Sequence, residues 1–421
     1  MYIIYNILIM VTGILLSPYL IFKIITDKRY RTGIRERLGF VSLPKKGAQR
    51  FMVHASSVGE VNVAYPFIME LKSRYEGCDI ALTVMTPEGY ALAKEKLSGV
   101  AGVFFFCIDC SFTVNRYLRR MDPDTVFIVE TELWPNFLRG VKKRGIKSAI
   151  INGRISEKSL KGYRRMRHFI RPALKSVDLF LMQQDIYKDR LVELLGESKN
   201  VKVTGNIKYD INDSFFTVDE ELLKNFDALE YIVAASTHDD EERRVLSIFA
   251  EIKNEFPEVK LVIAPRHIKR SPSIETLIFE NGFSCKKRSD IKNGDDLSSH
   301  DVILLDTIGD LVTLFRSAKV VFIGGSLVNV GGHNIIEPAY FATPVIFGEY
   351  MHNFSDAKEL MLDENAALMV RDEHDLKDKI LLLLRDENEQ KRLGKAAKEA
   401  VSKNSGALNK SMAEIEVLVV R

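Results

Sequence analysis

Residues 320–338 read VVFIGGSLVNVGGHNIIEP. An unbroken apolar run, Val320–Ile323, enters a loop with Gly324, Gly325, Ser326, Gly331 and Gly332. The loop then opens a helix near Asn334. A strand without polar alternation is buried on both faces, as in a parallel sheet covered by helices. Glycines let backbone N–H groups approach a phosphate, and a helix N-terminus adds partial positive charge. The Gly-Lys-Ser/Thr of a Walker loop and the G-x-G-x-x-G spacing are both missing. Gly324, Gly325 and Ser326 therefore form a candidate phosphate loop, and Glu337 is placed to accept ribose hydroxyls. A tight turn without ligand is the alternative.

The same unit recurs along the chain. Strands are expected at Phe51–His54, Ile80–Met85, Val103–Cys107, Thr125–Glu130, Ser148–Ile151, Leu179–Met182 and Val201–Thr204. A second set follows at Tyr231–Ala235, Leu261–Ala264, Val302–Asp306, Val320–Ile323, Val345–Phe347 and Ala367–Val370. Amphipathic stretches such as Val61–Tyr75, Pro87–Leu97 and Ser159–Ser176 lie between them as helices. The sets break near Asp210–Asp227, so the expected fold is α/β: two doubly wound domains, 26–210 and 211–421, facing a cleft. The last helix is allowed to pack back on the first domain. In such sheets ligands sit at the carboxyl ends of strands.

The chain has 421 residues, 46% apolar and 28% charged, which excludes a disordered or fibrous protein. Four cysteines cannot staple it, and Cys107-x-x-Cys110 has no second pair for zinc. The net charge of +3 hides an asymmetry. Residues 1–210 hold 34 Lys+Arg and 20 Asp+Glu, a balance of +14, whereas residues 211–421 hold 26 and 37, a balance of −11. The first half is expected to face something anionic, a membrane surface or an acidic substrate. No nucleic-acid-binding motif accompanies the basic stretch Arg164–Lys175, so nucleic acid is not an expected partner.

Met1–Phe22 carries no charged side chain, about the ~20 residues that cross a bilayer. Lys23, Lys28, Arg29, Arg31, Arg35 and Arg37 follow it. Residues 1–25 are thus expected to be a single-pass anchor with the remaining chain cytoplasmic.

Two strand ends carry carboxylates. His54-Ala-Ser-Ser-Val-Gly-Glu60 places Glu60 in the first turn of a helix, either a plain N-terminus in which Ser56 or Ser57 is the cap and the helix dipole stabilises Glu60, or one that presents Glu60 as a general base at the cleft. Val129-Glu130-Thr-Glu132-Leu-Trp-Pro-Asn136 ends an apolar strand with two carboxylates, costly to bury unless they face a site. Asp122-Pro-Asp124 precedes that strand, at the wrong end of the sheet for a metal site, and reads as a turn.

Taken together these segments resemble the bacterial 3-deoxy-D-manno-octulosonic acid (Kdo) transferases. The matching pieces are the N-terminal anchor, HASSVGE (54–60), ETELWPN (130–136), INGRIS (151–156), GNIKYD (205–210), AASTHDDEE (234–242), APRH (264–267) and the GGS…GGHNIIEPA stretch (324–339). The resemblance implies a GT-B fold and inverting transfer of Kdo from CMP-Kdo to a lipid A precursor (lipid IVA) in lipopolysaccharide synthesis. It also implies the bacterial inner membrane as location and no metal or other cofactor. It makes Glu60 the base, and Glu130 and Lys208 transition-state stabilisers. CMP contacts then fall on Pro265, Arg266, Ile308, Gly309, Asp310, Asn334, Ile335, Ile336 and Glu337, with a backbone contact favoured at Asp310. Another membrane-associated GT-B transferase or a nucleotide-sugar epimerase would keep the glycine loop without the anchor, HASSVGE and GNIKYD. A non-catalytic membrane adaptor would have no use for carboxylates at strand ends.

Overall fold

The computed structural model describes residues 2–26, 31–213, 216 and 218–420. It divides into two compact units, Met1–Asp210 with Ser405–Arg421, and Ile211–Asn404. Each is built on a seven-stranded, wholly parallel sheet. In the first, β1 (Arg50–His54), β2 (Asp79–Val84), β3 (Gly102–Phe105), β4 (Thr125–Val129), β5 (Lys147–Gly153), β6 (Leu179–Met182) and β7 (Val201–Val203) run in the order 3-2-1-4-5-6-7. In the second, β8 (Tyr231–Thr237), β9 (Lys260–Pro265), β10 (Cys285–Lys287), β11 (Val302–Leu304), β12 (Val320–Ile323), β13 (Val345–Gly348) and β14 (Leu368–Val370) run in the order 10-11-9-8-12-13-14.

The first sheet is sandwiched between two cores. Phe51 and Val53 join Val61, Phe67 and Leu71 on one face. Met52 joins Val114, Phe137 and Leu174 on the other. Alternate residues of one strand feed opposite cores, so the positions between Arg50 and His54 are all apolar and the strand reads as a continuous run. In each sheet the first strand has later strands on both sides. The order reverses between β1 and β4 in one unit and between β8 and β12 in the other. That reversal opens a crevice at the strand ends. In the first unit it is flanked by the loops after β1 and β4, which carry Glu60 and Glu130, and in the second unit by those after β8 and β12.

Strands are found at all thirteen expected places, and one was missed. Cys285-Lys-Lys287 is a three-residue edge strand, half exposed throughout, with no apolar run to betray it. The expected helix 159–176 is two helices, Glu157–Arg165 and Arg167–Leu174, broken at Met166 (φ −102°, ψ 23°). Asp122–Asp124 is structural: Asp122 closes a helix at φ 46°, and Asp124 accepts the Arg50 amide (2.8 Å) and the Lys46 ammonium (2.7 Å).

The last helix, Ala407–Val420, lies in the first unit although the sequence groups it with 211–421. The Asp210 carboxylate accepts the Gly406 and Leu408 amides and so caps it. Met412 and Ile415 are fully buried beside Leu181 and Ile207. Ile415→Ala should therefore cost the first unit about 2–5 kcal/mol, the usual range for a large-to-small core change. The only tryptophan, Trp134, is in that unit, so urea unfolding followed by its fluorescence reads the effect. An unmoved transition would mean that this helix contributes nothing to the unit's stability.

Candidate active site

Ser57 caps the helix Val58–Arg74, its Oγ accepting the Glu60 amide at 3.4 Å. This fixes Glu60 in the first turn and returns its carboxylate to the loop that precedes the helix. Glu60 Oε2 accepts the Ser56 amide (2.7 Å), and Oε1 lies 2.7 Å from Ser56 Oγ and 3.1 Å from Ser57 Oγ. The arrangement is a capping box shifted by one residue. Ser56 Oγ also lies 2.9 Å from Glu132 Oε1. Glu60 is only 8% exposed. Burial, opposed by the Ser56 hydrogen bonds and helped by the nearby Glu130 and Glu132 charges, raises its pKa from 4.5 to about 7. Burial and the Glu130 charge raise Glu132 as well.

Glu130 leaves β4 in the left-handed region (φ 58°), a conformation that costs a non-glycine residue energy and clusters at functional sites. Its amide still bonds Ile151 O (2.9 Å), so the turn begins while the sheet is intact. On the neighbouring strand Asn152 is also left-handed (φ 52°) and fully buried. Asn152 Oδ1 accepts the Ile207 amide (2.9 Å) and so pins the short turn Ile207–Tyr209. Lys208 on that turn reaches Glu130 Oε1 at 3.2 Å. Glu60, Glu130 and Lys208, expected from separate motifs, are thus brought together at the switch point of the first sheet. Glu132 is expected here only as the second of the two carboxylates that end β4, and Ser56 only as a possible cap; Asn152, inside INGRIS, is not among the expected site residues. His54 is not part of the chemistry: wholly buried and bonded to Thr83, it is pushed down to about 3 and stays neutral.

In the second unit a cavity of about 510 Å³ lies beyond the ends of β8, β9 and β11. Pro265, Arg266, His267, Ile308 and Gly309 line it. Ile308 is 81% exposed, an apolar surface held open where a flat ring could rest. Arg266 is exposed and makes no ion pair among the described residues. The Asp310 carboxylate is engaged within the protein, by the Thr307 hydroxyl and by Arg288 (3.4 Å). Ile335 and Ile336 are buried in the core, whereas Asn334 and Glu337 stay half-buried, Asn334 capping the Ile336 amide at 3.0 Å.

The expected phosphate loop needs correcting. The amides of Gly325 (2.7 Å), Ser326 (3.1 Å) and Leu327 (3.0 Å) all donate to the carboxylate of Glu241, which is fully buried. The Gly324 amide bonds Ala235 O (2.8 Å). These donors are spent on an internal anion and do not face a ligand. Gly324 is glycine for a packing reason, since a Cβ there would meet Ser236 O and Thr237 Cα at 2.6 Å. Above the loop His238 Nε2 and His333 Nε2 lie 2.8 Å apart, with the His267 ring edge-on to His238. Burial holds both members of that pair low, His333 at about 4.

The raised Glu60 predicts a stability signature. A carboxyl whose folded pKa (about 7) exceeds its ordinary 4.5 holds its proton more tightly in the folded chain. The contribution of Glu60 to stability is therefore fullest below pH 4.5 and is lost as pH rises through 7. Glu60→Gln removes the charge and should be more stable than the parent at pH 8, by on the order of 3 kcal/mol at about 1.4 kcal/mol per pKa unit. The gap should close near pH 4.5. Equal stabilities at pH 8, read by Trp134 fluorescence in urea, would place Glu60 in the ordinary carboxylate range.

Residues 32–211 match the family model described as 3-deoxy-D-manno-octulosonic-acid transferase (kdotransferase). The chain is 31% identical over 398 residues to the 3-deoxy-D-manno-octulosonic acid transferase of Haemophilus influenzae, covering 92% of this chain and 91% of that one. It is 32% identical over 364 residues to a bifunctional glycosyltransferase/methyltransferase of Fusobacterium nucleatum, covering 85% of this chain but only 55% of that longer protein. Among solved structures, UDP-GlcNAc 2-epimerase from Neisseria meningitidis superposes with a TM-score of 0.60 at 14% identity, over 89% of this chain and all of the other. That likeness concerns the fold alone. The chain belongs to the 3-deoxy-D-manno-octulosonic acid transferase family, glycosyltransferases of two-domain GT-B architecture.

Proposed function

We propose that this glycosyltransferase moves Kdo from CMP-Kdo to a lipid A precursor, lipid IVA, during lipopolysaccharide synthesis, with inversion at the anomeric carbon. The observation that carries the reading is the Glu60 carboxylate, buried, raised to about 7 and set beside the Glu130–Lys208 pair. A base whose pKa lies near working pH is best placed to take a proton as a bond forms. In the transfer a sugar hydroxyl of the acceptor attacks the anomeric carbon and its proton passes to Glu60. The bond from that carbon to the phosphate oxygen breaks, and its electron pair leaves with CMP. CMP is a stable anion, so no strong acid is needed on the leaving side. Lys208, held by Glu130, supplies positive charge for an anionic group of the donor sugar. Arg266, exposed and without an ion pair among the described residues, supplies a guanidinium for the phosphate, and the exposed face of Ile308 suits the base. Asp310 contributes through its backbone. Asn334 and Glu337 add contacts from the next loop, and Ile335 and Ile336 add backbone contacts only.

Glu60→Gln should lower turnover about 10²–10⁴-fold with CMP affinity unchanged. The parent's rate with labelled CMP-Kdo and lipid IVA should rise with pH up to about 7, because only ionised Glu60 accepts a proton. The Ser56 hydrogen bonds lower the Glu60 value, so Ser56→Ala should move this limb to higher pH. Near-parental turnover in Glu60→Gln, or a limb indifferent to Ser56, would remove Glu60 from the mechanism.

Arg266→Ala should weaken CMP binding by about 1.5–3 kcal/mol, the loss expected for a hydrogen bond to a charged group. Calorimetry with CMP measures it directly, and unchanged affinity would move the phosphate away from this cavity.

A further inference from the structure

The N-terminal helix, Tyr2–Thr26, is held where a spanning helix would be free. Tyr2, Tyr5 and Asn6 share one side of its first turns, as i, i+3 and i+4 must. The Tyr5 hydroxyl donates to Asp109 Oδ2 at 2.9 Å. Asn6 and Asn136 exchange two amide hydrogen bonds, each 3.0 Å. The Ser111 amide and hydroxyl donate to Asn6 Oδ1 at 3.2 and 3.0 Å, and the Arg139 guanidinium covers the Tyr2 ring at 4.3 Å. Asp109 is 4% exposed and also accepts the Asn136 (3.0 Å) and Phe137 (2.7 Å) amides. A carboxylate and a set of amides of this kind belong to the protein's polar surface and not to hydrocarbon.

Two consequences follow for crossing a membrane. With the first turns spent on the protein, the uncharged stretch from Ile7 to Phe22 rises about 24 Å at ~1.5 Å per residue. A hydrocarbon core is about 30 Å thick. The far end is also tied back to the same unit. The Arg31 guanidinium donates to Ile25 O, and two residues later Gly33 lies against the Phe105 ring, so close that a Cβ would overlap it. Arg37 O accepts the Ile108 amide at 2.9 Å, one residue from Asp109. Both ends of the helix are therefore fastened to one globular unit, whereas a spanning helix has its ends on opposite sides of the bilayer.

What the helix leaves uncovered is apolar: Ile3 is 75% exposed, Ile14 64% and Leu15 73%. Beside its docked end Ile108 and Phe112 are exposed as well, and the Arg116 guanidinium lies over both Phe40 (4.1 Å) and Phe112 (4.3 Å). Aromatic rings capped by arginine suit the headgroup level, and the +14 balance of residues 1–210 suits anionic lipid. We infer that Tyr2–Thr26 does not cross the membrane but lies along one leaflet of an anionic bilayer, latched by Tyr5 and Asn6, with the Phe40–Phe112–Arg116 patch on the same surface. This replaces the single-pass anchor expected from the apolar run alone.

Spin-labelled Gly13→Cys in the full-length protein, bound to vesicles of mixed neutral and anionic lipid, tests it. Gly13 is mid-helix with nothing packed on it. An in-plane helix places the label about 5–10 Å below the headgroup boundary, and a spanning one near the centre, about 15 Å deep. As a second measurement, a cysteine tag ahead of Met1 should react with a membrane-impermeant maleimide only after the inner membrane of cells is permeabilised. Label at the bilayer centre, tag reaction in intact cells, or protein that stays unbound by the vesicles would each overturn the inference.

Discussion

One hydroxyl proton, that of Ser56, lies between two carboxylates. Its oxygen is 2.7 Å from Glu60 and 2.9 Å from Glu132. A serine has a single O–H to give. With both acids ionised, one of these contacts sets lone pair against lone pair. With Glu60 protonated, Glu60 donates to Ser56, Ser56 donates to Glu132, and every contact is a hydrogen bond. The count of protons is thus met when one of the two acids is neutral, and burial, working against the Ser56 amide and hydroxyl bonds, is what keeps Glu60 neutral until about neutral pH. It also explains why the two motifs must meet, since HASSVGE supplies the hydroxyl and ETELWPN the second acid. The meeting place follows from the sheet, because β1 and β4 are neighbours at the point where strand order reverses.

The second unit solves a similar problem in the opposite way. Its glycine loop presents three amides at once, and in place of a ligand the loop receives the buried carboxylate of Glu241. That internal anion fixes the loop independently of any substrate. The loop can then act as a rigid floor beneath the His238–His333 pair and beside the cavity lined by Arg266. The acidic residues of AASTHDDEE are partly accounted for in this way. Glu241 braces the loop, and Glu242 is buried against Arg270 (2.8 Å) and Thr237 (2.8 Å).

The sequence made the strands legible because both faces of each sheet are covered, which leaves continuous apolar runs. Cys285–Lys287 escaped because an edge strand needs no such run. The carboxylates at strand ends were legible because charge is costly after five buried residues such as Thr125–Val129. Partnership between distant segments was not legible. Nothing in INGRIS shows that Asn152 will pin the turn bearing Lys208, and nothing in GGS shows that Glu241, some eighty residues earlier, will occupy its amides. Glycine spacing states what a backbone can approach; it does not state which anion arrives.

The N-terminal helix illustrates the same limit and connects the two ends of one segment. Its apolar length was plain, but the meaning of Tyr5 and Asn6 depends on Asp109 and Asn136, more than a hundred residues away. Asn136 closes the motif that begins with Glu130. The piece of chain that presents two acids at its start is therefore latched at its end to the N-terminal apolar helix. Asp109 makes the latch rigid, because the carboxylate that accepts the Tyr5 hydroxyl also caps the helix Pro135–Lys143. On the reading proposed above, an acceptor with acyl chains in the leaflet and sugars above it would find its anchoring surface and its reacting carboxylates on a single short segment. Their separation is then set by a strand end and a helix cap, the stiffest parts of the backbone, and not by the depth of a freely tilting anchor.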